Sequence, residues 1–157
     1  GTLFLPQLLM SADAAKAAFA AVKESLSGTS QAVKGALVLA TVKGDIHDIG
    51  KNIVKVLLEN YGYRVIDLGK DVPPEAIVEA VQRENIRLVG LSALMTTTVS
   101  SMEATIRLLR ERCPGVKVVV GGAVLTAAYA AEIGADHYAR EAMDTVRYAD
   151  RVFGGEM

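Results

Sequence analysis

From Gly35 onward, short apolar and often β-branched runs alternate with longer stretches of helical periodicity, an alternation that few folds satisfy. Ala36–Val42 is an unbroken apolar run, as expected of a strand buried on both faces. Ile49–Tyr61 has helical spacing and stops at Gly62, a residue suited to a C-terminal cap. The pattern then predicts a strand over Arg64–Leu68, a helix over Pro73–Glu84 with proline in its first turn, and a strand over Leu88–Ser92. A helix over Val99–Cys113 is stopped by Pro114-Gly115, and Val116–Val120 forms the fourth strand. After Gly121-Gly122 come a helix over roughly 125–133, a short strand His137–Ala139 and a last helix over 141–153. Five strands alternating with five helices predict a parallel sheet covered on both faces. Such sheets bind ligands beyond the carboxyl ends of the strands, where the strand order reverses. That directs attention to loops 43–50, 69–72, 92–98, 121–126 and 140–141.

Ahead of this region, Leu5, Leu8, Leu9, Ala12, Ala15, Phe19, Val22 and Leu26 recur at spacings of three and four, predicting one helix over residues 3–26. Pro6 is tolerable only in its first turn. The polar segment Ser27-Gly28-Thr29-Ser30-Gln31 reads as a linker. A start at Gly1 without methionine suggests a chain cut from a longer one. The net charge of −1 argues against a nucleic-acid partner, which calls for a basic stripe, and the absence of tryptophan disfavours base stacking. No apolar run approaches the ~20 residues of a membrane span, and no secretory signal is visible, so a cytoplasmic location is expected. The single cysteine, Cys113, excludes an internal disulfide and a cysteine-rich zinc site; beside Pro114 it reads as a helix-end residue.

The loop Lys43-Gly44-Asp45-Ile46-His47-Asp48-Ile49-Gly50 puts a histidine among carboxylates at the end of the first strand. A metal-ligating histidine usually donates its other ring nitrogen to a carboxylate, and Asp45 is placed to accept it. Equally, Asp45 and Asp48 could cap the next helix and leave His47 solvated. One histidine cannot build a metal site alone. A ligand role therefore requires a metal that brings most of its ligands with it, as a tetrapyrrole-type cofactor does. In Ser92-Ala93-Leu94-Met95-Thr96-Thr97-Thr98 the hydroxyls either cap the following helix or face a ligand on the same edge as His47. Gly121-Gly122 offers a floor on which a ligand can lie against backbone. His137 and Met95 read as a solvated residue and a packing residue.

Gly44-Asp45-Ile46-His47-Asp48-Ile49-Gly50 resembles the Asp-x-His-x-x-Gly signature of cobalamin-binding domains, and Ser92-x-Leu94 and Gly121-Gly122 match the family's other two motifs in order and separation. The resemblance covers residues 35–150. It implies an α/β fold, a Rossmann-like (flavodoxin-like) five-stranded parallel sheet with helices on both faces, preceded by one helix left from a helical-bundle cap. The domains would be 1–27, the last helix of a truncated cap; 28–34, a linker; and 35–157, the cobalamin-binding domain. Leu3-Phe4-Leu5-Pro6-Gln7 and Asp67-Leu68-Gly69-Lys70-Asp71-Val72-Pro73 are similar to segments of cobalamin-dependent methionine synthase.

The resemblance assigns roles. His47 would be the lower axial ligand to cobalt, displacing the vitamin's own base (base-off, His-on), with Asp45 bonded to its other ring nitrogen. Thr98 would complete a proton relay through Asp45; it stands where methionine synthases usually carry serine. Ser92 and Leu94 would line the channel for the displaced nucleotide tail, and Gly121 and Gly122 would give it room. Gly44, Ile46, Asp48, Gly50, Thr96 and Ala142 match further corrinoid-contacting positions, and Leu5 a cap residue over the reactive face. The implied cofactor is cobalamin, as methylcobalamin. The implied function is that of the cobalamin module of methionine synthase, carrying methyl from methyltetrahydrofolate to homocysteine on cobalt. Folate-binding, homocysteine-binding and reactivation domains would be its partners, because this chain lacks the substrate sites. The same motifs serve corrinoid proteins of methanol, methylamine or aryl-ether methyltransferase systems, and also mutase subunits and cobalamin-dependent sensors or regulators. A receiver-like domain would instead show a phospho-acceptor aspartate where Ser92 stands.

Overall fold

A computed structural model describes residues 33–155 and, within residues 1–32, positions 10, 11, 13, 14, 17, 18 and 21. The chain divides into two compact units, Gly1–Ala32 and Val33–Met157. In the first, the seven described positions are helical; the stripe from Leu5 to Leu26 and the cap segment Leu3–Gln7 lie outside the described residues.

The second unit runs β1 (Ala36–Thr41), α1 (Ile49–Asn60), β2 (Arg64–Asp67), α2 (Pro74–Arg83), β3 (Leu88–Ser92), α3 (Val99–Arg112), β4 (Lys117–Gly121), α4 (Ala127–Glu132), β5 (His137–Tyr138) and α5 (Ala142–Gly154), with a 3₁₀ turn, Thr96–Thr98, leading into α3. The strands form one sheet in the order β2-β1-β3-β4-β5, every pair parallel. This is the predicted α/β fold, a Rossmann-like five-stranded parallel sheet. The order reverses at β1, whose successor goes to one side while β3 lies on the other, so the loops leaving β1 and β3 diverge and open a crevice.

The continuous apolar run of β1 serves two cores. Val38, Ala40 and Val42 face α2 and α3, where they pack with Ile77, Met102 and Ile106. Leu37 and Leu39 face the other side, with Leu58 of α1 and Val146 and Ala149 of α5. Period-two alternation with both faces apolar is what a central parallel strand requires. The helix ends follow from local chemistry. Gly62, just beyond α1, adopts φ +90, and the amides of Gly62 and Tyr63 return to the carbonyls of Glu59 and Leu58. Cys113 is the C-cap of α3, as its place before Pro114 predicts.

His137 departs from the solvated position expected of it. It is half-buried and stacks on Tyr148 with ring centroids 4.5 Å apart. Burial first, and then the Arg151 guanidinium, lower its pKa. A helix followed two-residue β5 closely enough to bring Tyr148 over the ring, which periodicity in so short a strand does not reveal.

Candidate cobalamin site

Beyond the C-terminal ends of the strands, α1 and α5 part over the sheet and leave a cleft of about 580 Å³. Its floor is the sheet surface at Leu39, Gly90 and Val119; Val54 of α1 and Thr145 of α5 form facing walls. Gly90 lets Leu39 lie flat across the floor, since a Cβ there would overlap the Leu39 side chain.

Of the residues singled out from the sequence, Ile46, His47, Asp48 and Gly50 line this cleft on the β1 side. Ser92, Leu94, Gly121, Gly122 and Ala142 line it on the β3, β4 and α5 sides. Gly122 is required where it stands: at φ +140, a Cβ would collide with the carbonyl of Ala93, so the β4 loop passes in contact with the β3 loop. Gly44, Asp45 and Thr98 lie behind the lining and act on it. Thr96 is exposed in the 3₁₀ turn and is not part of the lining. Leu5 lies outside the described residues.

Asp45 is the hub. Its side chain is 0 % exposed, yet it carries five donors. Oδ1 accepts the His47 amide at 3.0 Å and lies 2.8 Å from His47 Nδ1. Oδ2 accepts the amides of Leu94 at 2.7 Å and Met95 at 3.3 Å and the Thr98 hydroxyl at 2.9 Å. Burial by itself pushes this carboxyl up, but the donors from His47, Leu94 and Thr98 outweigh it and hold the group well below the usual carboxylate range. An ionised carboxylate only accepts, so the proton of the shared bond sits on His47 Nδ1, and the lone pair of the neutral imidazole is the one on Nε2. That ring edge is at the cleft mouth, where the His47 side chain is 45 % exposed.

The helix-capping alternative does not hold for either aspartate. Asp48 is the N-cap of α1 but makes no side-chain capping bond, and Asp45 is committed to His47 and the β3 loop. Likewise Thr98, the N-cap of α3, turns its hydroxyl to Asp45 in place of capping. The methyl group that distinguishes threonine from serine there packs toward Gly44, where an added Cβ would lie 3.4 Å from Thr98 Cγ2.

Lys51 was not singled out from the sequence. It is buried, bonds Asp67 at 2.5 Å and Asn52 at 2.9 Å, and contributes to the cleft wall. Burial raises the Asp67 pKa, but the bonds from Lys51 and the Gly69 amide prevail and lower it. A lysine one position after Gly50 reads as a solvated helix residue, and only the placement of β2 beside α1 reveals its partner. Arg140, Glu141 and Thr145 also line the cleft; Thr145, one turn beyond Ala142 on α5, is signalled by helical spacing alone.

A flat, largely apolar macrocycle fits this mouth. Ile46, Ile49, Ile53 and Leu94 stand around it at 62, 53, 48 and 41 % exposure, unusual for large apolar side chains unless something covers them. Among the described residues no three histidine, cysteine or carboxylate side chains gather to hold a metal, so a metal met by His47 must bring its other ligands.

A family model described as the B12 binding domain matches residues 35–147. The chain belongs to that family, and its cofactor is cobalamin. Within the family its relatives are corrinoid proteins of methyltransferase systems. The dimethylamine corrinoid protein of Methanosarcina barkeri is 45 % identical over 152 residues, covering 95 % of this chain and 71 % of its own length. The methanol:cobalamin methyltransferase complex of the same organism matches with a TM-score of 0.81 and 38 % identity over 100 % of this chain and 60 % of its own. A cobalamin-binding protein of Desulfitobacterium hafniense DCB-2 matches with a TM-score of 0.72 and 39 % identity over 74 % of this chain and 58 % of its own. This chain thus spans about three-fifths of those two structures' chains.

These relatives overturn the expectation of a methionine synthase module, and with it the enzyme assignment, the place in methionine biosynthesis, and the folate-binding, homocysteine-binding and reactivation domains as partners. The physical reason is that the motifs around Asp45, His47, Ser92, Gly121 and Gly122 are shared across corrinoid-binding systems and contain nothing that recognises a methyl donor or acceptor. They report the cofactor and are silent on the substrates.

Proposed function

We propose that this domain binds cobalamin base-off with His47 Nε2 as the lower axial ligand, and serves as the methyl carrier between proteins of a methylamine-type methyltransferase system. The observation that carries this reading is the Asp45–His47 bond at 2.8 Å, which engages Nδ1 and leaves Nε2 as the ring nitrogen free to meet a metal. When bound, the corrinoid supplies a cobalt centre able to take up and give away a methyl group. The chain's own residues do the rest. Asp45 selects the His47 tautomer, and Thr98 with the Leu94 and Met95 amides keeps Asp45 ionised and oriented. Ile46, Ile49 and Leu94 exclude water from the inner face of the macrocycle. Ser92, Gly121, Gly122 and the apolar floor receive the nucleotide tail. Gly44, Asp48, Gly50 and Ala142 shape the rim, Thr96 faces outward from it, and Leu5 belongs to a preceding helical cap. The boundaries follow the same reading: a cap helix over 1–27, a linker over 28–34 and the corrinoid domain over 35–157. Dimethylamine corrinoid proteins among the relatives favour a methylamine as donor, with the methyltransferases that load and unload the carrier as partners.

The test is a visible-absorption titration with methylcobalamin, comparing the protein with its His47→Gly variant. The protein should give a saturable base-off, His-ligated spectrum, and the variant a base-off spectrum without the new ligand. A variant spectrum identical to that of the unaltered protein would remove His47 from its role.

A further inference from the structure

The segment Leu68–Pro73 takes no part in the reading above, yet it runs beside β1 and is bonded at Asp71 to the loop that carries His47. Past the end of β2 the chain stays beside β1. The Thr41 amide donates to the Gly69 carbonyl at 2.9 Å, the Val72 amide to the Thr41 carbonyl at 3.1 Å, and Val42 and Val72 form an isolated parallel bridge. Between these bonds Asp71 holds the ligand loop twice. Its amide donates to the Asp45 carbonyl at 2.9 Å, and its Oδ1 accepts the Gly44 amide at 2.7 Å. The Gly44-Asp45 pair is therefore clasped from the β2 side, at the Gly44 N–H and the Asp45 carbonyl, while the Asp45 carboxylate is clasped from the β3 side by Leu94, Met95 and Thr98.

Both residues in the outer clasp are left-handed, Gly44 at φ +85 and Asp71 at φ +54. For a non-glycine residue that conformation costs free energy and persists where neighbouring bonds over-determine it; aspartate and asparagine tolerate it best. Asp71 is exposed, so its two bonds add little to the core. What they set is the position of the Asp45 backbone, and His47 follows two residues later. We propose that Asp71 is a positioning residue for His47: it fixes the direction in which the imidazole is presented to cobalt. This rests on His47 being the axial ligand.

Two substitutions separate its parts. Asp71→Asn keeps an acceptor oxygen and tolerance of the left-handed backbone, whereas Asp71→Gly keeps the backbone and removes the acceptor. Both are made in the full chain, alone and combined with His47→Gly, and titrated with methylcobalamin by visible absorption. Unfolding temperatures of the cofactor-free proteins are measured alongside. Asp71→Gly should need about tenfold more methylcobalamin for half-conversion to the His-ligated spectrum, the scale on which partners of metal ligands act. Asp71→Asn should stay within about twofold of the unaltered protein, and in the His47→Gly background Asp71→Gly should change binding by less than about twofold. The cofactor-free Asp71→Gly protein should unfold within about 3 °C of the original.

An unchanged half-conversion for Asp71→Gly, an equal defect in Asp71→Asn, or the same loss with and without His47 would overturn the proposal. Failure of the unaltered protein to give a His-ligated spectrum would instead sink the ligand assignment, and this proposal with it.

Discussion

Replacing Asp45 by asparagine keeps the shape of the side chain but exchanges one acceptor oxygen for a donor, and every neighbour of that side chain is a donor. If the amide group takes the place of Oδ2, it faces the amides of Leu94 and Met95, two N–H groups at a site with no exposure. If it takes the place of Oδ1, it faces the His47 amide and ring. The second arrangement is the cheaper, because the imidazole can move its proton to Nε2 and accept at Nδ1. Every remaining bond then falls from charge-assisted to neutral, losing about half its strength, and one N–H is left without its acceptor. Together these cost about 3 kcal/mol of stability in the cofactor-free protein. For a domain of about 120 residues that is a fall of roughly 12 °C in unfolding temperature. The tautomer change also removes the lone pair from Nε2, so His-ligated cobalamin should disappear even where the variant is folded. Calorimetry measures the first effect, visible absorption the second, and ¹⁵N chemical shifts of the His47 ring read the tautomer directly. A variant within about 0.5 kcal/mol of the original that still ligates cobalt would refute the argument, since exposed substitutions commonly fall in that range.

Gly122→Ala should destabilise the cofactor-free protein by about 3 kcal/mol in urea denaturation, because the new methyl meets the Ala93 carbonyl and the backbone is left-handed. A loss below about 1 kcal/mol would mean that the β3 and β4 loops separate more readily than their contact implies. Asp136 accepts from Arg110 at 2.6 Å, Lys117 at 3.3 Å and the Val118 amide at 2.8 Å. Burial raises its pKa, but these donors prevail and lower it. A lowered folded pKa stabilises the fold above the unfolded value of about 3.9, and that stabilisation is lost as pH falls through the folded value. Asp136→Asn should therefore be less stable at pH 7, and the gap should close below about pH 4 in denaturant titrations. A gap constant across that interval would remove the charge from the account.

The element order was legible because the central strands are apolar on both faces: Ala36–Val42 and Leu88–Ser92 have no reading as surface segments. Boundaries moved by one or two residues where the apolar run outlasts the pairing, as at Val42, which has left the sheet for a single bridge to Val72. The 3₁₀ turn Thr96–Thr98 was hidden, because three consecutive threonines read equally as helix caps. At the site, spacing allowed the Asp45–His47 partnership but equally allowed helix capping with His47 solvated, and the resemblance to cobalamin-binding domains is what pointed to the pair. Lys51 and Asp71 were not legible, because their partners are set by β2 and its following loop lying beside α1 and β1, a tertiary fact with no local signal. Loop 140–141 was among those the strand pattern pointed to, but Arg140 and Glu141 were not singled out in it.

The two cores of the sheet differ in size. Among the described residues, the face covered by α2 and α3 buries twenty-two in one cluster, and the face that carries the cleft buries eleven. Most of the apolar burial thus lies on the side away from the cleft, so the α/β domain should fold before it meets its cofactor, unlike small metal domains that fold only around their ion. Loading can then follow synthesis, and a spent or wrong corrinoid can be exchanged without dismantling the protein. The heat tolerance gained on loading should accordingly rise with the logarithm of free corrinoid concentration, the behaviour of a ligand added to a folded host.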